Sequence, residues 1–192
     1  MEKYIRDLID TIHDCKMTNT YKMSWCRSLV EWSVKNSEKN YVHFDDLSPL
    51  IFKYYWNQSI FFNLNQGSNP IEKPTIHQIV LKEIERYKLK YGNKPQVFSK
   101  IQNRIKIDIK KINNELKRYV WELFDKDEIF YKRSKGEPSI KLYHPELLSE
   151  YSDILFQLIN YRWSRELEKI NSSPRISMKI LDGYREDIKR ST

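Results

Sequence analysis

The side chains in this chain that could do chemistry are mostly cations. Residues 51–118 carry 14 Lys and Arg against 5 Asp and Glu, a net of +9. Residues 1–50, 119–158 and 159–192 carry nets of −1, −3 and +3, so the formal charge of +8 has one address. AT-rich codons favour Lys, Ile, Asn and Tyr, and they account for the choice of Lys over Arg and for the absence of alanine. They would spread lysine evenly, however, whereas a concentrated block reads as a surface that meets something anionic.

Within the block, the spacing predicts one helix from about Phe98 to Phe124. Its apolar positions Phe98, Ile101, Ile105, Ile109, Ile112, Leu116 and Leu123 fall within roughly 40° of one direction at about 100° per residue. Lys100, Asn103, Lys110, Lys111, Asn114 and Arg118 lie opposite, with Arg104 beside them and the acids Asp108 and Glu115 on a flank. Lysine and arginine there would neutralise phosphates and release counterions, and Asn103 and Asn114 would reach base edges or sugars. Lys82, Arg86, Lys88, Lys90 and Lys94 precede this helix and tilt the reading from an ordinary amphipathic surface toward nucleic acid. The nucleic-acid-binding set is therefore Lys82, Arg86, Lys90, Lys100, Asn103, Arg104, Lys110, Lys111, Asn114 and Arg118. Ile107 sits out on the basic front, which reads as a contact surface or as simple tolerance.

Other chemistries are thinly supplied. Cys15 and Cys26 stand eleven residues apart with no Cys-x-x-Cys, which offers neither a zinc ribbon nor a redox pair. Without a signal-peptide layout at Met1–Arg6, they read as buried thiols of a reducing cytoplasm. His13, His43, His77 and His144 are scattered singly, and no Gly-rich phosphate loop, His-Glu-x-x-His or Gly-x-Ser-x-Gly occurs. Asp125-x-Asp127-Glu128, or Glu83 and Glu85 with Lys88, would be the carboxylates of a divergent metal-dependent nuclease. Such spacings arise readily by accident in a chain with 31% charged residues. No catalytic residue, metal ligand or cofactor is assigned.

The elements that must position the basic face are mainly helical. A chain of 192 residues can bury a core without disulfides, and 40% hydrophobic with 14% aromatic content excludes wholesale disorder. No stretch approaches the roughly 18 uninterrupted apolar residues of a membrane span. Helical periodicity covers 3–15, then 20–36 after the capping residues Thr18-Asn19-Thr20. A short extended piece at 42–44 leads to an aromatic helix, Leu47 to about Phe62, capped by Asp45 or Asp46, whose aromatic stripe reads as core. After a loop at 65–74, Thr75 caps a helix that ends at Tyr91, with Gly92 suited to the left-handed stop position. Alternation at 129–133 and 139–143 predicts a β-hairpin. Helical patterns follow from Pro145 to about Asn171 and from Arg175 to Thr192. The last has no stop signal and reads as leading into further chain. The fold class is thus mainly α, a bundle-like domain of about 6–7 helices with one small β-hairpin at about 129–143. It is one domain, 1–192. It divides into a helical core, 1–125, holding the basic block 73–118, and a stretch, 126–192, of hairpin and two C-terminal helices.

Several segments in order resemble a known family. They are Asn19-Thr20-Tyr21-Lys22-Met23, Phe44-Asp45-Asp46-Leu47, Tyr54-Tyr55-Trp56, Arg118-Tyr119-Val120-Trp121, and Glu168-Lys169-Ile170-Asn171-Ser172-Ser173-Pro174. Together they are similar to the N-terminal, non-catalytic region of bacterial HNH-endonuclease-domain proteins. The resemblance implies a DNA-engaging front half of a nuclease or restriction-type protein. The catalytic ββα-metal module would lie downstream, and a divalent metal would belong only to it. It also draws interest to Tyr21 and Lys22. The reading is therefore a cytoplasmic nucleic-acid-binding module for duplex DNA. Its partners would be DNA and either a downstream nuclease domain or a second copy, with no membrane. The alternatives are a helical protein-interaction or regulatory protein with incidental charge, whose aromatic helix would form the partner groove, and the metal-dependent nuclease above.

Overall fold

The structure, a computed structural model, describes residues 2–69, 71–133, 136–173 and 176–177. It is mainly helical with a small three-stranded antiparallel sheet. Helix α1 (Lys3–Asp14) buries Ile5, Leu8 and Ile12, and α2 (Tyr21–Lys35) buries the whole predicted stripe of Tyr21, Trp25, Leu29 and Trp32. Strand β1 (Tyr41–His43) runs directly into α3 (Phe44–Phe62). Helix α4 (Thr75–Tyr91) ends on Gly92 at φ 87° and ψ 174°, a positive-φ conformation that glycine adopts without a Cβ penalty but not the predicted left-handed helical one.

The aromatic stripe of α3 is core. Phe52, Tyr55 and Trp56 are fully buried and Tyr54 nearly so, whereas Phe61 and Phe62 at the helix end are exposed. Helix α2 is central, packed against α3 and against α8 (Pro145–Glu150) and α9 (Ser152–Ile170), while α3 carries α4 on another side. Trp25 links these layers. It stacks on Phe44 at 5.8 Å and donates its Nε1–H to Tyr131 Oη at 3.1 Å, tying α2 to the sheet.

The hairpin forms as β2 (Tyr131–Lys132) and β3 (Ser139–Leu142), but it is not alone. The extended piece β1 pairs antiparallel with β3, Val42 opposite Ile140, giving the order β1-β3-β2. A pairing across about a hundred residues leaves no local trace in sequence, so only the hairpin is predictable. Two helix boundaries and one cap also differ. The 145–171 pattern is interrupted at Tyr151, giving α8 and α9. Helix α3 begins at Phe44 with Asp45 and Asp46 inside its first turn, without a side-chain cap. The Thr75 hydroxyl does not cap α4; the Tyr21 hydroxyl accepts the Ile76 N–H at 2.8 Å instead. The predicted helix from Arg175 to Thr192 lies outside the described residues apart from Ile176 and Ser177.

The largest correction falls on residues 98–124, which are not one helix. They form α5 (Phe98–Ile101), a 3₁₀ turn at 102–104, an extended stretch at 105–108, α6 (Ile109–Glu115), a π-helical turn at 116–120 and α7 (Trp121–Phe124). Two carboxylates take backbone donors at the break. Glu83 Oε1 accepts the Lys106 N–H at 3.2 Å, and Asp108 Oδ1 accepts the Lys111 N–H at 3.1 Å as the cap of α6. In the extended stretch Ile105 and Ile107 are half-buried against the core while Lys106 and Asp108 are exposed. That alternation explains why Ile107 does not fit a helix.

Candidate nucleic-acid interface

All of the predicted set, Lys82, Arg86, Lys90, Lys100, Asn103, Arg104, Lys110, Lys111, Asn114 and Arg118, are solvent-exposed. The break redistributes seven of them into two groups and leaves Lys100 on α5, Asn103 in the 3₁₀ turn and Arg118 in the π-helical turn. On α4, burial of Ile76, Val80, Ile84 and Tyr87 turns the opposite side outward, and Lys82, Arg86 and Lys90 follow one another there at four-residue intervals. On α6, burial of Ile112 points Lys110, Lys111 and Asn114 outward together. The predicted single front therefore survives on α6, but Lys100, Asn103 and Arg104 leave it.

Arg104 joins the α4 group instead. Its guanidinium lies 5.5 Å from the centre of the Tyr91 ring, and the Lys90 ammonium lies 5.3 Å from the same ring. Tyr91 packs in turn on Tyr87 at 5.3 Å, which is edge-on to the buried Trp56 at 5.5 Å. A chain of rings from the core thus ends in an exposed aromatic flanked by two cations. The sequence reading missed Tyr91, whose signal would have been an aromatic beside the helix stop at Gly92.

Glu83 holds the two strips of chain together. Besides the Lys106 N–H it binds Arg86 Nη1 at 3.2 Å, so one buried carboxylate serves the middle of α4 and the extended stretch. Asn113 does the same between α6 and α3, accepting from the Ser48 hydroxyl and donating to Asp45 Oδ1, both at 2.5 Å. The basic residues stand on segments fastened from beneath by their neighbours.

Of the acidic candidates, Glu83, Asp125 and Glu128 have structural duties. Asp125 is buried and takes three backbone N–H groups, from Ile129 at 2.8 Å, Phe130 at 2.8 Å and Tyr131 at 3.0 Å. Glu128 lies 3.4 Å from Arg133 Nε. Among the described residues, no cluster of three or more His, Cys, Asp or Glu side chains is arranged to hold a metal ion. Burial pushes the Cys26 thiol far up and raises that of Cys15, which also neighbours Lys22 and Arg162. His77 is buried at the start of α4, and desolvation, assisted by the Lys73 charge, lowers its pKa to about 4. Tyr21 and Lys22 sit at the start of α2; Tyr21 packs inside, and Lys22 Nζ donates to the Lys16 carbonyl at 2.9 Å.

Among the described residues, no helix is long and apolar enough to cross a membrane. No family model matches the chain, and comparisons with curated proteins and with solved structures likewise find no match.

Proposed function

We propose that this chain is a nucleic-acid-binding module for duplex DNA, acting through the exposed cations of α4, the 98–108 segment and α6. The observation that carries the reading is the exposure of every cation in the predicted set, on segments that pack against one another beneath them. Lys82, Arg86, Lys90, Lys100, Arg104, Lys110 and Lys111 contact phosphates, and Asn103 and Asn114 contact sugars or base edges. The sequence resemblance to the front region of HNH-endonuclease-domain proteins agrees with a cytoplasmic role of this kind in a bacterial nuclease or restriction-type system.

Fluorescence anisotropy with a labelled duplex over a salt series tests the reading. Affinity falls steeply with salt, and the triple variant Lys100→Ala, Lys110→Ala, Lys111→Ala lowers the log–log slope by about 2 to 3, one unit per lost phosphate contact. A duplex RNA of the same sequence binds more weakly, because side chains do not reach into its deep major groove. Absence of any salt-dependent binding to duplex, or an unchanged slope in the triple variant, would refute it.

A further inference from the structure

A second site is a cleft of about 560 Å³ between the start of α2, residues 67–69 and 71–75 before and at the start of α4, and a wall of Glu115, Val120 and Leu123. That volume suits a small ligand, whose pockets span about 300–1,000 Å³. The walls are fastened. Thr20 Oγ1 donates to Gln66 Oε1 at 2.6 Å, the Ser68 N–H and hydroxyl both reach the Thr18 carbonyl, and Asn19 forms a β-bridge with Gly67. A Cβ on Gly67 would stand 2.6 Å from Pro74 Cγ, so the loop lies flush against the entry to α4.

The cleft is rich in donors that form no ion pair among the described residues. Lys16, Lys22 and Lys73 line it, and none is in an ion pair among the described residues; Lys22 and Lys73 are half-buried. Asn19 and Asn69 spend their Oδ1 atoms on backbone N–H groups of residues 21, 71 and 72, which leaves the amide NH₂ of each as a donor. Five nitrogen-bearing side chains around one space call for an anion with many acceptor atoms. Glu72 and Glu115 also line the cleft, neither in an ion pair among the described residues, and a carboxylate accepts N–H donors. Met17, Val120 and Leu123 supply apolar surface, and Leu123 is 45% exposed. A bare phosphate would satisfy the lysines and leave the carboxylates and the apolar wall unused. We infer that the cleft binds a nucleoside monophosphate unit, its phosphate on Lys16, Lys22 and Lys73 and its base, through ring or exocyclic N–H groups, on the glutamates. The unit is either a free nucleotide or the 5′-phosphorylated end of a strand.

Isothermal titration of the full chain with AMP, GMP, CMP and inorganic phosphate is the test. At least one nucleotide saturates the protein and binds about tenfold or more tightly than inorganic phosphate. Lys73→Gln and Lys22→Gln each weaken it about tenfold; the Lys73 side chain makes no hydrogen bond among the described residues, so its variant keeps the fold even if loss of the Lys22–Lys16 contact does not. Glu115→Gln narrows the preference for nucleotide over phosphate. A 5′-phosphorylated tetranucleotide then competes with the bound nucleotide or fails to, and either result upholds the nucleotide class and identifies its source. No saturation by any of the three nucleotides at millimolar concentration, equal binding of phosphate and nucleotide, or unchanged affinity in Lys73→Gln would overturn the inference. The Lys100, Lys110, Lys111 triple variant retains nucleotide binding, so failure of the basic face and failure of the cleft are read separately.

Discussion

Helix α3 contains a proline and remains one helix of 19 residues, whereas residues 98–124 contain neither proline nor glycine and break into short pieces. Intrinsic propensity would predict the reverse, since an interior proline removes a backbone donor and costs about 3 kcal/mol. The difference lies in what surrounds each backbone. Helix α3 buries Leu47, Ile51, Phe52, Tyr55, Trp56 and Ile60, so packing holds its course through Pro49. The 98–124 segment has an exposed flank and carboxylates within reach of its N–H groups. Glu83 and Asp108 accept two of them, and Asp125 accepts three more just beyond. Where packing encloses a helix, periodicity decides the backbone; where acceptors compete for its donors, they decide it.

The comparison is broken most severely by removing packing from α3. Phe52 is fully buried between Trp56 at 6.1 Å and Phe98 at 5.8 Å, and Phe52→Ala should cost about 3–5 kcal/mol through lost transfer energy and the cavity left behind. Chemical denaturation would read it as a lowered midpoint at constant slope. Asp125→Ala should come next, at about 3 kcal/mol, because it strands three backbone N–H groups beneath the sheet. Asp125→Asn, which keeps one oxygen, recovers some of the loss. Equal effects of Ala and Asn would show that the second oxygen is what counts.

His77 sharpens the contrast at the start of α4. Both ring nitrogens are buried without a hydrogen-bond partner among the described residues, and the ring lies 6.4 Å from Tyr55. Burial, then the Lys73 charge, lowers its folded pKa to about 4 from an ordinary 6.5. The unfolded chain therefore binds the proton first as pH falls. The contribution of neutral His77 is full above about 6.5 and declines toward pH 4, a loss on the order of 3 kcal/mol. Denaturation midpoints between pH 7 and 4 should fall steeply in the parent and more shallowly in His77→Met.

Much of this was legible in the chain, and the exceptions share one cause. The stripes of α1, α2, α4 and α9 lie inside as their spacing requires, because each is a local pattern against a common core. The hairpin was legible from alternation and turn residues, but β1 was not, since Tyr41 meets Lys141 only after the helices between them are in place. The break at 105–108 was written in Ile105-Lys106-Ile107-Asp108-Ile109, a period of two that a longer helical pattern overrode. Asp125 was visible as a carboxylate before a turn, yet nothing local revealed that three donors would converge on it. The exposure of the cations followed from composition; which of them stand together did not, because Arg104 reaches Tyr91 only through the broken helix.

The smallest effect tests fold and interface at once. Asp108→Ala removes the cap of α6 and should cost about 1 kcal/mol, as N-cap truncations do. It also removes a negative charge beside Lys110 and Lys111, and electrostatics alone would strengthen attraction for a polyanion. If α6 is a phosphate-contacting surface, duplex affinity at low salt should rise a few-fold while thermal stability falls. Opposite signs from one substitution separate the two roles of this acid: it shapes the backbone that presents the lysines, and it tempers the field they make. An affinity that falls in step with stability would instead mean that the ordered first turn of α6, and not its charge, sets the contact.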